Sequence, residues 1–257
     1  MLILISPAKI QNTKPQHQEQ EYTLPVFLKE SQQLVKQIQT YSISDLAELL
    51  KVNMKIAEQN ADRFFNWNLP FTPDNAKQAL WTYNGEVYHG LDVHSLSADN
   101  IIYAKKHLRI LSGLYGVLSP LDLIQPYRLD VSDKLENDFG HDLYAFWKEK
   151  ITNEVNKALL ESGEPKVIIN LMSGEYKNAL DIKKIKGKIL DFDFLQYQPD
   201  TETYKPIVVY IKKARGMMTR FILQNEITDI DDLKGFSADG YWIDEQLSTK
   251  NKLVFTR

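Results

Sequence analysis

Short runs of consecutive apolar residues are the feature that most constrains the fold of this chain. Leu2–Ile5 is one such run and is closed by Pro7, and Val167–Leu171 is a second run, interrupted only by Asn170, that Gly174 soon follows. Mainly apolar runs of this length are typical of strands that are buried on both faces. Residues 188–195 alternate between apolar and polar side chains, which predicts a half-buried strand. Together these segments indicate a sheet inside an α/β fold.

Apolar residues elsewhere recur at helical spacing, which predicts helices. The predicted helices cover residues 25–38, 44–50, 53–67, 98–111, 141–160 and 212–225. Further strands are predicted at residues 207–211 and, as a pair, within 241–255. Residues 10–23 are rich in Gln, Asn and Thr and predict a surface loop, whereas Asn84 and Gly85 predict a hairpin turn. The simplest fold is one mixed α/β domain over residues 1–257, with a central mixed sheet and surrounding helices.

Composition excludes several classes of function. The 257-residue chain has no cysteine, so thiol catalysis, disulfides and thiolate metal sites are excluded. The five histidines show no metal-ligand spacing, so we expect no metal and no cofactor; they are His17, His89, His94, His107 and His141. No segment approaches the roughly 18 apolar residues of a membrane span, which predicts a cytoplasmic protein. Because the formal net charge is −3, any nucleic-acid site must be a local basic patch.

Residues 107–128 contain the most unusual local pattern. Gly113 and Gly116 bracket Leu114 and Tyr115, between an apolar helical pattern before them and a second one that Pro126 ends. The arrangement resembles a helix-hairpin-helix motif, which presents backbone N–H groups to a DNA phosphate, although the usual hairpin is one residue shorter. Residues 109–112 fit a strand equally well. The alternative is a tight turn between two core elements.

The segment of residues 212–225 predicts a helix with an apolar and a basic face. The apolar stripe consists of Ala214, Met217, Met218, Phe221 and Ile222. The opposite face carries Lys212, Lys213, Arg215 and Arg220, with the small residues Gly216 and Thr219 between them. A phosphate backbone could approach such a face. The alternative is a solvated basic face that pairs with the acidic C-terminal region.

Polar residues also follow the first predicted strand. Lys9 comes shortly after Leu2–Ile5, at the strand end where ligands gather in open α/β sheets, although it could be an ordinary surface lysine. Arg128, which follows Tyr127, could clamp an anion or could pair with Asp122 or Asp130. Phosphate-loop, dinucleotide-binding and nucleophile-elbow motifs are absent from the sequence.

Five segments together carry a family resemblance. They are residues 4–9 (LISPAK), 111–122 (LSGLYGVLSPLD), 125–129 (QPYRL), 169–171 (INL) and 212–222 (KKARGMMTRFI). In this order they are similar to the YaaA family of peroxide stress proteins. The resemblance implies a compact mixed α/β fold with a positively charged cleft and a helix-hairpin-helix element. It also implies duplex DNA binding and a role in limiting free intracellular iron, and hence oxidative DNA damage, under peroxide.

The leading hypothesis is therefore a monomeric protein that binds duplex DNA largely without sequence preference. The expected phosphate contacts are Lys9, Arg109, the backbone of Gly113, Leu114, Tyr115 and Gly116, Arg128, Lys212, Lys213, Arg215 and Arg220. The alternative is an enzyme that acts on a nucleobase or nucleotide in the same cleft, with Ser6, Lys9, Tyr127 and Arg128 around the substrate. An iron-binding protein is a third hypothesis, which the ligand inventory disfavours.

Overall fold

The computed structural model describes residues 1–14, 21–137 and 140–257, so part of the predicted loop at residues 10–23 lies outside the described residues. The strands are β1 (Leu2–Ile5), β2 (Lys77–Gln78), β3 (Leu108–Ser112), β4 (Gly116–Leu118), β5 (Leu123–Ile124), β6 (Val167–Leu171), β7 (Lys188–Gln198), β8 (Thr203–Lys205), β9 (Trp242–Ile243) and β10 (Lys252–Thr256). The α-helices are α1 (Leu28–Ile38), α2 (Ile43–Leu50), α3 (Met54–Asn66), α4 (Ala79–Thr82), α5 (Glu86–Leu91), α6 (Ala98–His107), α7 (Leu143–Glu161), α8 (Gly174–Lys177) and α9 (Val208–Gln224).

A central mixed sheet organises these elements, as the sequence predicts. The strand order is β4-β3-β1-β6-β7-β10-β9, and β8 pairs with the end of β7. The inner pairs β3-β1, β1-β6, β6-β7 and β7-β10 are parallel, whereas β4 and β9 are antiparallel edges. All side chains of β1 and β6 are buried, which explains why both segments are almost entirely apolar.

Helices pack on the sheet through the apolar stripes that the sequence predicts. On α9, Ala214, Met218 and Ile222 are buried, while Met217 and Phe221 are half-buried. On α7, the Trp147 side chain is fully buried and its indole N–H donates to the Gly113 carbonyl at 2.8 Å. These contacts belong to one continuous hydrophobic core.

Two local predictions are wrong. The strand expected at residues 207–211 is the first turn of α9, in which Val208 is 67% exposed. A five-residue apolar run has no periodicity that separates strand from helix, so the run alone could not decide. The hairpin expected at Asn84 and Gly85 is instead a junction between α4 and α5, and a Cβ on Gly85 would lie 3.0 Å from the Ala8 Cβ. A glycine suits position 85 because the backbone there comes close to the Ala8 side chain.

The helix-hairpin-helix expected at residues 107–128 is not formed there. After α6 the chain forms β3 and β4, an antiparallel β-hairpin in which Ser112 pairs with Gly116, and β5 follows where a second helix was expected. The turn is buried, and the N–H groups of Leu114 and Tyr115 donate to the Ser112 hydroxyl at 3.2 and 2.9 Å. The segment therefore has the alternative structure that the sequence allowed, which is a tight turn between two core elements. The apolar residues of 117–124 are buried in short strands, where local spacing mimics a helical period.

Candidate functional site

A pocket lies at the carboxyl ends of β1 and β6. The chain adds β3 on one side of β1 and later adds β6, β7 and β10 on the other side. Loops that leave neighbouring strands at such a reversal of strand order diverge, and ligands of open α/β sheets bind in the crevice between them. Here the Ser6 hydroxyl accepts a hydrogen bond from the Ser173 N–H at 2.9 Å, which fixes the two loops to each other.

The pocket combines two cationic groups with two carboxyl groups and two phenols. The side chains that matter chemically are Lys9, Tyr127, Arg128, Asp130, Asp133 and Tyr176. Its cavity measures about 30 Å³, which is room for about one water molecule or one ligand oxygen. The pocket is therefore of mixed charge rather than uniformly basic.

The charged groups occupy different depths. The Lys9 side chain is 61% exposed, with Nζ 4.0 Å from Oδ2 of Asp130. Asp133 is buried and accepts a hydrogen bond from the Asp130 N–H at 2.7 Å. Burial raises the pKa of the Asp133 carboxyl to about 6, although the positive charges of Lys9 and Lys51 act in the opposite direction. Asp133 therefore changes protonation near neutral pH.

The two phenols differ in their hydrogen bonding. The Tyr127 hydroxyl lies 2.6 Å from the Ser112 hydroxyl and 2.8 Å from the Tyr83 hydroxyl. Burial raises the pKa of Tyr127 to about 12, so its phenol stays neutral. The Tyr176 hydroxyl is also buried but has no hydrogen-bond partner of normal geometry among the residues that the structure describes, although the backbone of Val131 is close.

A second guanidinium group, that of Arg63, lies close enough to Arg128 to be affected by its charge. Burial lowers the pKa of Arg63, and the positive charge of Arg128 lowers it further. Arg63 donates to Oδ1 of Asn60 at 3.2 Å. Within the described part of the chain, neither arginine lies within 4.0 Å of a carboxylate oxygen. Two neighbouring guanidinium groups without a carboxylate form a site suited to an anion.

The structure brings together only part of the predicted site. Lys9 and Arg128 line the pocket together with Tyr127, and Ser6 lies in the adjoining loop. Arg109 is elsewhere: its guanidinium donates to the carbonyls of Lys105 and Leu108 at 2.8 and 2.7 Å. The backbone of residues 113–116 is buried in the β-hairpin.

The predicted basic face of α9 is a helix crossing. A Cβ on Gly216 would lie 1.8 Å from the Val87 carbonyl oxygen, so α5 covers the small residues where a phosphate was expected. Around this crossing, Lys213 lies 3.7 Å from an Asp239 oxygen and Arg220 lies 3.7 Å from an Asp92 oxygen. Arg215 is partly buried, and Lys212 is exposed. Gly216 is therefore small because α5 comes close to it, and Lys213 and Arg220 form ion pairs at the edge of the crossing.

Sequence reasoning missed three residues of the candidate site. Arg63 is one of several charged residues on α3 and nothing in the sequence distinguishes it. Asp133 lies in an irregular segment and its burial has no local signal. Tyr176 could have been found, because it follows Ser173 and Gly174 just after a predicted buried strand.

These features define a mixed α/β protein with a polar pocket at the carboxyl edge of its parallel strands. Residues 1–247 match the family model described as "Peroxide stress protein YaaA". The chain is 46% identical over 257 residues to a UPF0246 protein of Alteromonas mediterranea, and the match covers all of this chain and 98% of the relative. The chain therefore belongs to the YaaA family of peroxide stress proteins.

In the ranges that the structure describes, no three His, Asp or Glu side chains form a group that could hold a metal ion. None of the described helices is both long and apolar enough to span a membrane.

Proposed function

We propose that this protein binds duplex DNA as a monomer, largely without sequence preference, and that it helps to limit free iron and oxidative DNA damage during peroxide stress. The neighbouring guanidinium groups of Arg63 and Arg128 carry the proposal. Their mutual repulsion is relieved when an anion binds, and the DNA backbone supplies one phosphate about every 1.7 Å of helix axis. The YaaA resemblance supports the same ligand and supplies the proposed link to iron.

The surface that we propose for DNA consists of Lys9, Arg63 and Arg128. Lys9 and Arg128 line the pocket at the carboxyl ends of the parallel strands, and Arg63 lines a separate hollow that includes Gln125 and Pro126, just before Arg128 in the chain. Contacts to phosphate position a protein on DNA but do not distinguish bases, so affinity should depend on salt rather than on sequence. The buried turn at residues 113–116 and the packed face of α9 are not part of this surface.

Fluorescence anisotropy with labelled duplexes of two unrelated sequences tests the proposal. If the three cations neutralise about three phosphates, log affinity against log salt should have a slope near −3 for both duplexes. The double variant Arg63→Glu with Arg128→Glu should weaken binding at least tenfold. The double variant Lys183→Glu with Lys250→Glu is the matched control, because it changes the net charge equally and both lysines are exposed just before β7 and β10, away from the pocket.

Two results would contradict DNA binding at this surface. One is a salt slope flatter than about −1, since counterion release requires phosphate contacts. The other is an equal loss of affinity in the charge-matched Lys183→Glu with Lys250→Glu control, which would show that only net charge matters.

An enzyme that acts on a nucleobase or nucleotide in the same pocket is the second candidate function. The pKa of about 6 for Asp133 favours it, because a group that titrates near neutral pH can both accept and donate a proton. Release of a free base or cleavage of a strand, lost in Asp133→Asn, would support this function. Salt-dependent duplex binding without any turnover would contradict this second function and support DNA binding only.

A further inference from the structure

We propose that the pocket at the carboxyl ends of β1 and β6 binds a single nucleotide. Its phosphate would lie on Lys9 and Arg128 at the mouth, and an uncharged polar group would accept a hydrogen bond from the Tyr176 hydroxyl inside. This inference rests on the proposed function in one respect, because Arg128 contacts phosphate in both.

The Tyr176 hydroxyl is the main evidence for a ligand. Tyr176 is only 3% exposed, and its hydroxyl has no hydrogen-bond partner of normal geometry among the described residues, although the backbone of Val131 is close. A buried hydroxyl without a partner costs free energy, and such groups in folded proteins are rare. Phenylalanine would fill the same space without that cost. A polar atom of a ligand would supply the missing partner.

The depth at which each charge lies indicates which part of the ligand goes where. The exposed Lys9 and the half-buried Arg128 attract an anion to the mouth. Asp130 and the buried Asp133 carry carboxyl groups that repel a phosphate from the interior but accept hydrogen bonds from hydroxyl or N–H groups. A sugar or base edge suits the interior, and the phosphate suits the mouth.

The position in the fold supports the same conclusion. Pro7 to Lys9 follow β1, and Tyr176 lies in α8, which follows β6. These two loops diverge where the strand order reverses, which is the usual ligand site of open α/β sheets. The cavity of about 30 Å³ is large enough for one oxygen of the ligand at the bottom of the pocket.

Isothermal titration calorimetry with thymidine 5′-monophosphate, thymidine and inorganic phosphate tests the site directly. The monophosphate should bind saturably and more tightly than either part. Tyr176→Phe should weaken this binding at least tenfold without lowering the melting temperature, because it removes a hydroxyl that has no protein partner. Tyr204→Phe, an exposed tyrosine on β8, is the matched control and should change neither.

The exposed Lys9 provides a second variant that does not endanger folding. Lys9→Met should reduce the affinity for the monophosphate towards that for thymidine, and leave the affinity for thymidine unchanged. Phosphate that binds as tightly as the monophosphate would overturn the proposal, because nothing would then occupy the interior.

The nucleotide could be free or part of DNA, and duplexes distinguish the two sources. If the monophosphate does not bind, a duplex with one unpaired nucleotide should bind more tightly than a fully paired duplex, and Tyr176→Phe should abolish that preference. Absence of both effects overturns the nucleotide site. Binding of the fully paired duplex reports separately on the proposed function, because that binding uses Arg63 and does not require Tyr176.

Discussion

Replacing Gly216 with alanine should destabilise the protein, because the new methyl group has no room where α5 crosses α9. The Cβ would lie 1.8 Å from the Val87 carbonyl oxygen and 2.7 Å from the Leu91 nitrogen. Gly90 occupies the other side of the crossing, where a Cβ would lie 2.1 Å from the Lys213 carbonyl oxygen. At each glycine, the backbone of the opposite helix leaves no room for a side chain.

The magnitude follows from two opposing effects. Non-bonded atoms normally lie about 3.5 Å apart, so α5 would have to move by roughly 1.5 Å. Overpacking of this kind costs about 3 kcal/mol or somewhat more, and the better helix propensity of alanine offsets about 1 kcal/mol. The net loss of about 2 kcal/mol corresponds to a melting temperature about 4–8 °C lower for a chain of this size.

Thermal unfolding followed by circular dichroism measures this loss. Gly235→Ala is the control, because its Cβ would be 3.9 Å from Phe221, an ordinary contact. The double variant Gly90→Ala with Gly216→Ala should lose about 1 kcal/mol less than the sum of the single variants, because one displacement of the helices accommodates both methyl groups. A Gly216→Ala protein as stable as wild type would refute the close crossing and make the basic face of α9 available again as a DNA surface.

Three further outcomes are expected. Gly116→Ala should lower the melting temperature but not the duplex affinity of the folded fraction, since φ is +70° and the Cβ would lie 2.7 Å from the Trp147 ring. Met218→Asp should abolish the folded circular dichroism spectrum, because Met218 is completely buried and an unpaired buried carboxylate costs several kcal/mol. Burial raises the pKa of Asp122 to about 6, so the folded state binds this proton more tightly than the unfolded chain. Urea unfolding should show stability that falls as the pH rises from about 4 to 6, and less steeply in Asp122→Asn.

The sequence alone predicted those strands and helices whose pattern of apolar side chains shows which of their faces are buried. The runs at β1 and β6 are mainly apolar because both faces of each strand are covered, and the one polar residue of β6, Asn170, is buried with its side-chain amide donating to Asp191. The stripe of α9 is visible for a related reason, since a helix that packs on one side repeats its apolar residues at the helical period. The mixed sheet of the fold class follows from these elements.

Only the tertiary structure decided what the glycines are for. Gly113 and Gly116 have the spacing of a DNA-binding turn, but the core around Trp147 and Leu129 surrounds them. Gly216 could equally have left room for phosphate or for another helix. A missing side chain indicates that something comes close, and only the coordinates of the neighbour show whether it is a ligand or the protein itself.

The residues of the candidate site also fall into two groups, those that the sequence could place and those that only the structure revealed. The position of Lys9 after β1 is sufficient to place it at the ligand edge of the sheet, because chain order fixes which residues follow a strand. Arg63 and Tyr176 come from distant helices and join Arg128 and Lys9 only when the chain folds. Whether two arginines repel each other, and whether a phenol finds a hydrogen-bond partner, depends on distances between residues that are far apart in the sequence. No local pattern of residues encodes those distances, so the sequence determined the sheet and one edge residue, and the tertiary structure decided the pocket.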